Sequence, residues 1–520
     1  MQIRLPDKIT LVGENKTLLP TSDVKLQFEG DVLVPKIISA EAPLCCLIFK
    51  WVLTDSERRK EAVKVLGDHW ERGYGDLEWR GIVPHRCMPW YFLVSDASTG
   101  RTEGFGVRVR PAAMCFWQYT GAEIILYMDI RSGGRGVVLD GRELKVCEIV
   151  FYESQAIGAY SASREFCKRM CSDGIFPKQN VYGFNNWYYS YGKSSEKEIL
   201  EDTDRLMHYC NWDGARPYMV IDDGWQPNPC DGPWDRGNAN FPDMKGLAEK
   251  ISQKGAVPGL WYRPLLQEKP LDVPLPNEWR SKREQKYLDP SHPAVLEYID
   301  DTIKRITQWG YRLIKHDFTT FDIFGKWEFE CYDTMTGSAE WSFYDRGLTT
   351  AEVIIQLYTH IRNAAGDAVI IACNAIGHLC AGLAEINRTG DDTSGREWSR
   401  TRRMGINTLA FRMMQNSIFY MADADCAGIT PDVPWNLNKK WLSMLACSGS
   451  PLFISWDSRC DSSQICEAVS TALRRNATGA DSLEPIDWFD TICPSEWLLN
   501  GEKITVDWYE DTPIDLSVVG

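Results

Sequence analysis

Between about residue 178 and residue 460 the chain repeats one pattern: a short apolar run, an amphipathic stretch, then another apolar run. The strand candidates are Val181–Trp187, Tyr218–Ile221, Val257–Trp261, Arg312–Lys315, Val369–Cys373, Leu383–Asn387, Ile418–Met421 and Pro451–Ser455. Helical stretches such as Glu196–Tyr209, Ala294–Gln308 and Thr350–Asn363 lie between most of them, the last opened by a Thr349-x-x-Glu352 capping box. Eight strands alternating with helices predict an α/β chain built on a (β/α)8 TIM barrel. A doubly wound open sheet is the alternative, but no Gly-rich dinucleotide loop follows any of the runs. Only about nine residues separate strands five and six, so that crossover is either a single helical turn or a miscounted strand.

The flanks read differently. Residues 1–165 carry short alternating runs, Val24–Phe28, Leu44–Phe49 and Ile124–Ile130, with turn signals at Ser132-Gly-Gly and Asp140-Gly, which predicts an N-terminal β-sandwich. Residues 166–460 hold the barrel. Residues 461–520 hold a closing helix at Gln464–Arg475 and a short C-terminal β region ending in Lys503–Tyr509. Three units suit 520 residues at roughly 150 per domain.

A net charge of −15 argues against nucleic acid or an anionic membrane surface as a partner. No apolar run approaches the ~18 residues of a bilayer span. The 17 cysteines cannot all pair, the N-terminus carries no apolar leader, and several cysteines sit inside apolar runs. They read as small buried hydrophobes in a reducing, cytoplasmic compartment, or a periplasmic one if a leader has been removed. The seven histidines never fall at metal-ligand spacing, so neither a metal nor a cofactor is expected. The 21 Trp, 21 Tyr and 19 Phe supply core, and also the flat rings that stack on sugars.

Catalytic groups of a barrel stand at the C-terminal ends of its strands. Strand two ends in Asp222-Asp223-Gly224-Trp225, strand four in Lys315-His316-Asp317, strand six in Arg388-Thr-Gly-Asp391-Asp392, and strand seven in Asp423-Ala-Asp425. A barrel mouth lined by acids fits glycoside hydrolysis, which uses one carboxylate as nucleophile or base and one carboxylic acid to protonate the leaving oxygen. Lys315 shares a strand face with Asp317, and its charge favours an ionised neighbour. Asp425 is expected to lie behind the site. Trp187, Trp261 and Trp79 are candidates for either core or sugar stacking, and the aromatic segment Phe321–Asp345 is a candidate cover.

These strand ends resemble the clan of retaining α-galactosidases, glycoside hydrolase families 36 and 27. Ile221–Trp225 resembles its DDGW strand, Leu313–Asp317 its LKxD strand, and Thr389–Asp391 its TGD turn; Gly67–Trp79 is similar to a sandwich loop of family 36. The resemblance spans roughly residues 60 to 460. It implies Asp317 as nucleophile and Asp391 as general acid/base, with Asp222, Asp223 and Lys315 on the sugar hydroxyls and Trp225 in the binding strand. It further implies an exo-acting enzyme that releases terminal α-galactose by double displacement from an oligosaccharide or glycoside.

The sequence departs from that pattern in three places. Cys373-Asn374-Ala375 replaces the glycine-rich run of family 36 and resembles the cysteine strand of family 27, with small residues near the sugar O2. An α-N-acetylgalactosaminidase therefore stays open, as does a transglycosylase on the same residues. Arg388 precedes Asp391 by three residues, where family 27 has an arginine four before its acid. Asp392 directly follows Asp391 and is the second candidate for that role. An enolase-type metal enzyme and a non-catalytic sugar-binding protein are the competing classes, and a homo-oligomer is compatible with all of them.

Overall fold

A computed structural model describes all residues except 1, 39, 59–62, 97, 156–157, 270, 332–333, 338–339, 480 and 510–520. The N-terminal strands pair antiparallel into a six-stranded and a seven-stranded sheet, some alternating buried and half-buried positions, as Glu123–Asp129 does, and others, such as Tyr91–Asp96 and Arg101–Val107, buried almost throughout. Trp51, Trp117, Phe92, Phe105 and Phe151 fill the space between them, with ring centroids 4.9–6.3 Å apart. This is the expected sandwich.

The middle of the chain forms one nine-stranded parallel sheet. In chain order its strands are β1 (Tyr182–Asn185), β2 (Tyr218–Ile221), β3 (Val257–Tyr262), β4 (Leu313–His316), β5 (Val369–Ala372), β6 (Ile386–Arg388), β7 (Met421–Asp423), β8 (Ala427–Ile429) and β9 (Leu452–Trp456). Their spatial order is β7-β6-β5-β4-β3-β2-β1-β9-β8. The two end strands, β7 and β8, are consecutive in the chain with only Ala424–Cys426 between them. The sheet therefore curls until its edges are joined by three residues.

The expected strands are all present, with two shifts. The sixth starts at Ile386 rather than Leu383, and the seventh at Met421 rather than Ile418, because Ala384 and Tyr420 still belong to turns. The seventh position also splits in two, giving nine strands rather than eight. The tight interval after β5 holds a single helical turn, Gly377–Cys380. The Thr349 cap forms: its Oγ1 accepts from Glu352 N at 3.1 Å, and Glu352 Oε2 accepts from Thr349 N at 2.9 Å. Helix Ser463–Thr478 follows β9, and a three-stranded antiparallel sheet (Leu483–Pro485, Glu496–Leu499, Glu502–Thr505) forms the C-terminal β region; the tail beyond 509 lies outside the described residues. No helix among the described residues is long and apolar enough to cross a membrane.

Candidate active site

Parallel strands deliver their C-terminal ends to one side, and a cavity of about 110 Å3 opens there. A buried water needs roughly 10–15 Å3 of such space, so this one holds something of the size of a single pyranose rather than a polymer. Its walls include Asp222 and Asp223 after β2, Trp261 on β3, Lys315 and Asp317 at β4, Cys373 and Asn374 after β5, Arg388 on β6, and Asp392 beyond it; Trp187, Tyr188, Cys230 and Phe318 complete the lining.

Asp317 accepts from Trp261 Nε1 at 2.9 Å on one oxygen, and from Phe318 N at 2.7 Å and Asn374 Nδ2 on the other. The carboxylate is thereby fixed in direction. Phe318 and Asn374 both sit at positive φ, 63° and 47°, and Cys230 at 60°. Three left-handed non-glycine residues in one cavity wall are backbone strain concentrated at a site, as functional sites show. The Arg263 guanidinium lies 4.2 Å from the Phe318 ring and pairs with the buried Asp322 at 2.5 Å, which holds that ring in place.

Asp222 Oδ2 accepts from Lys315 Nζ at 2.7 Å and from Asn185 Nδ2 at 2.8 Å. Burial alone would lower the Lys315 pKa, but Asp222 reverses the direction and raises it well above the ordinary value, so the pair is ionic. Asp223 accepts from Gln226 Nε2 at 2.5 Å and from Cys230 N and Sγ, both at 2.9 Å. The turn between them depends on Gly224: its φ is 108°, and a Cβ there would lie 2.4 Å from the Gly192 carbonyl oxygen.

The two carboxylates after β6 separate. Asp392 lines the cavity, its side chain 43% exposed and Oδ1 at 2.7 Å from Arg388 Nη2. Asp391 does not line it: Oδ1 meets Arg72 Nη2 at 2.9 Å, Oδ2 meets Arg400 Nη2 at 2.9 Å, and the side chain is 12% exposed. Counting four residues from Arg388 lands on Asp392, the spacing that had marked Arg388 as out of register with Asp391. Burial would raise the Asp392 pKa; Arg388, Arg72, Lys315 and Arg400 outweigh it and hold the carboxyl below the ordinary value. Asp425 lies behind the cavity wall, its Oδ1 2.8 Å from Arg388 Nη1 and its Oδ2 accepting from Thr393 N and Oγ1, each at 2.7 Å.

Two tryptophans singled out by sequence are elsewhere. Trp225 is fully buried and donates from Nε1 to the Trp261 carbonyl at 3.0 Å, so it props β3 from outside the cavity. The motif leads outward because the turn at Gly224 reverses the chain before it. Trp79 packs on Trp488 and Phe489 of the C-terminal region, with centroids at 5.3 and 4.8 Å. In the segment 321–345, Trp327 packs at a tilt against the cavity-lining Phe318, whereas Trp341 packs on Phe343 and Gly133 and Tyr344 on His292. Residues 332–333 and 338–339 of that segment lie outside the described residues. Sequence reasoning passed over Tyr188, Cys230 and Phe318, which carry no motif, and Arg72, which lies in another domain.

No family model matches the chain. Solved structures do. The α-galactosidase from Thermus thermophilus in complex with p-nitrophenyl α-D-galactopyranoside superposes with a TM-score of 0.63 at 14% identity, over 93% of this chain and 98% of that one. A family 36 α-galactosidase, AgaA of Geobacillus stearothermophilus in complex with raffinose, gives 0.62 at 14% identity, over 96% and 79%. The fold is that of the family 36 α-galactosidases. A cycloalternan-degrading enzyme from Trueperella pyogenes also aligns, with a TM-score of 0.53 at 10% identity over 89% and 74%, so the fold by itself does not choose the sugar.

Proposed function

We propose that the chain is an exo-acting retaining glycoside hydrolase that releases terminal α-galactose from oligosaccharides or glycosides, on a sheet that acts as an eight-position barrel with β7 and β8 sharing the seventh position. One observation carries the reading: a pyranose-sized cavity holds an oriented carboxylate, Asp317, together with a second, cavity-facing carboxyl, Asp392, and the ionic Asp222–Lys315 pair. Asp392, which its cationic neighbours favour as an anion in the open cavity, takes up a proton when a bound sugar displaces the surrounding water, and protonates the leaving oxygen while Asp317 attacks the anomeric carbon. Asp392 then deprotonates water, which releases the sugar from Asp317. Asp391, clamped by two arginines, has no free proton-transfer path to the cavity, and the acid/base role passes to its neighbour.

Asp222 and Lys315 form a charged acceptor and donor on adjacent strands, suited to neighbouring sugar hydroxyls, and Asp223 adds a second acceptor. Charge-assisted bonds to an axial hydroxyl distinguish galactose from glucose by roughly 1.5–3 kcal/mol per bond. Trp187 and Trp261 line the same cavity and supply apolar faces.

The test is hydrolysis of p-nitrophenyl glycosides of α-galactose, α-N-acetylgalactosamine, α-glucose and β-L-arabinopyranose, with Asp317→Ala as control. Release from the α-galactoside, abolished in Asp317→Ala, supports the reading. Preference for the N-acetyl sugar reassigns the substrate to the small-residue side at Cys373–Ala375. Inactivity on all four overturns the exo-glycosidase reading.

A further inference from the structure

The turn that carries Asp392 is held from outside the sheet. The loop Gly67–Trp79 leaves the N-terminal sandwich and reaches that turn: Gly73 N donates to the Thr389 carbonyl at 2.9 Å, and Asp391 N donates to the Gly73 carbonyl at 2.8 Å. On the other side stands the helical run Trp398–Phe411. A Cβ on Gly390 would lie 1.9 Å from Thr408 Oγ1, so the turn is pressed between sandwich and helix with no room to move sideways.

Arg72 sits at the centre of this joint. Its side chain is 6% exposed, it meets Asp391 Oδ1 at 2.9 Å, and its guanidinium lies 4.7 Å from the Trp327 ring and 5.3 Å from that of Tyr74. Its Nε and Nη1 have no hydrogen-bond partner among the described residues. A buried guanidinium with a single ionic partner is a poor way to gain stability, since apolar side chains of that volume serve as well or better. The charge has to be explained by what it does to the turn. Arg400 completes the grip from the helix, with Nη2 on Asp391 Oδ2 and Nε on the Asp392 carbonyl, both at 2.9 Å. Asp391 is thus spent on two arginines, and Asp392 is the turn carboxyl left to the cavity.

We propose that Arg72, delivered by the N-terminal sandwich, is a positioning residue for the proton donor: by clamping Asp391 it fixes the turn so that Asp392 faces the leaving oxygen. This rests on the assignment of Asp392 as general acid. The charged and titratable groups around Asp392 are Arg388 on β6, Lys315 on β4, Arg400 on the helix, Arg72 on the sandwich loop, Tyr188 after β1 and Cys373 after β5.

The experiment compares Arg72→Met, Arg72→Lys and Asp391→Asn for kcat/KM against pH, on a dinitrophenyl α-galactoside and on an α-galactoside with an alcohol leaving group. A leaving group that needs no proton is indifferent to the donor's position, whereas a misplacement of about 1 Å can cost ~100-fold where the proton is needed. Arg72→Met is expected to lose at least ~10-fold on the alcohol and under ~3-fold on the aryl substrate. Its basic limb, which reports the protonated donor, moves to higher pH because a cation is gone. Asp391→Asn removes an anion and moves that limb to lower pH, and Arg72→Lys returns it toward the wild-type position. Equal losses on both substrates, or a limb that stays put in Arg72→Met and Asp391→Asn, overturn the proposal in favour of a packing role. A wild-type protein inactive on α-galactosides overturns the assignment of function instead. In that case amide hydrogen exchange at Asp391, whose N–H is bonded to the Gly73 carbonyl, still decides the point: it speeds up in Arg72→Met if Arg72 holds the turn, and is unchanged if it does not.

Discussion

Asp317 and Asp392 stand at alternate strand ends of one sheet, yet they are held in opposite ways. Asp317 takes its partners from the sheet itself: Trp261 on the next strand, the following amide of Phe318, and Asn374 after β5. The turn bearing Asp392 takes its partners from three places: Arg388 on β6, Arg400 on the helix after it, and Arg72 and Gly73 on a different domain. A nucleophile that must sit at one fixed distance from the anomeric carbon is built into the stiffest layer. A proton donor that serves two steps is set on a turn whose position is fixed by groups drawn from outside the sheet.

Deleting each carboxylate in turn separates the two kinds of support most strongly. Asp317→Ala is expected to lower kcat by about 10^4-fold or more on every leaving group, as removal of a nucleophile does, with thermal unfolding little changed. Asp392→Ala is expected to lower kcat/KM by about 10²–10⁴-fold on alcohol leaving groups and far less on dinitrophenol, the signature of a lost general acid. Asp391→Ala should differ from both. It strands the buried Arg72 guanidinium, so beside the roughly 10-fold loss on alcohol substrates expected when the clamp is released it loses roughly 3–5 kcal/mol in stability, read by denaturant titration. If Asp391→Ala shows the leaving-group dependence and Asp392→Ala does not, the two roles are reversed.

The domain joint can be probed separately through pH. His69, on the same sandwich loop as Arg72, lies between Glu328 Oε1 at 2.7 Å and Asp76 Oδ1 at 3.1 Å. Burial alone would lower its pKa; Glu328 and Asp76 outweigh this and push it up to about 10. A group whose folded pKa is raised stabilises the fold fully below its unfolded value, near 6.5, and that contribution fades as pH rises through the folded value. His69→Gln should therefore be less stable than wild type at pH 6, with the gap closing by about pH 10. A gap that is constant across that range would mean that His69 packs the joint without a charge.

The same contrast explains what the sequence made legible. The strands at Tyr218–Ile221 and Val257 were readable because a buried parallel strand is a continuous apolar run, and Asp222, Lys315 and Asp317 followed because strand ends share a side. Asp317 needed nothing from far away. The assignment between Asp391 and Asp392 did, because it turns on Arg72, more than 300 residues upstream, and on Arg400, whose side chain reaches back from a helix. Only the four-residue interval from Arg388 to Asp392 carried a local trace of the answer. The split of the seventh strand was equally hidden, since Asp425, at φ 76°, breaks the strand for the sake of its bonds to Arg388 and Thr393.

The smallest effect separates two tryptophans joined by one hydrogen bond. Trp261 donates to the Asp317 carboxylate, and Trp225 donates to the Trp261 carbonyl from the far side of the strand. Trp261→Phe keeps the ring and removes a bond to a charged group, worth about 1.5–3 kcal/mol. That corresponds to a fall of roughly 10–100-fold in kcat, with KM little altered because the ring face remains. Trp225→Phe removes a bond between neutral groups, worth about 1 kcal/mol, and should appear as a slightly lower Tm with kcat within about twofold of wild type. Steady-state kinetics and a melting curve on the two variants therefore distinguish a ring that orients the nucleophile from one that supports the strand. A loss of kcat in Trp225→Phe as large as in Trp261→Phe would mean that the nucleophile depends on the outer layer as well, and that the sheet holds it less independently than its contacts imply.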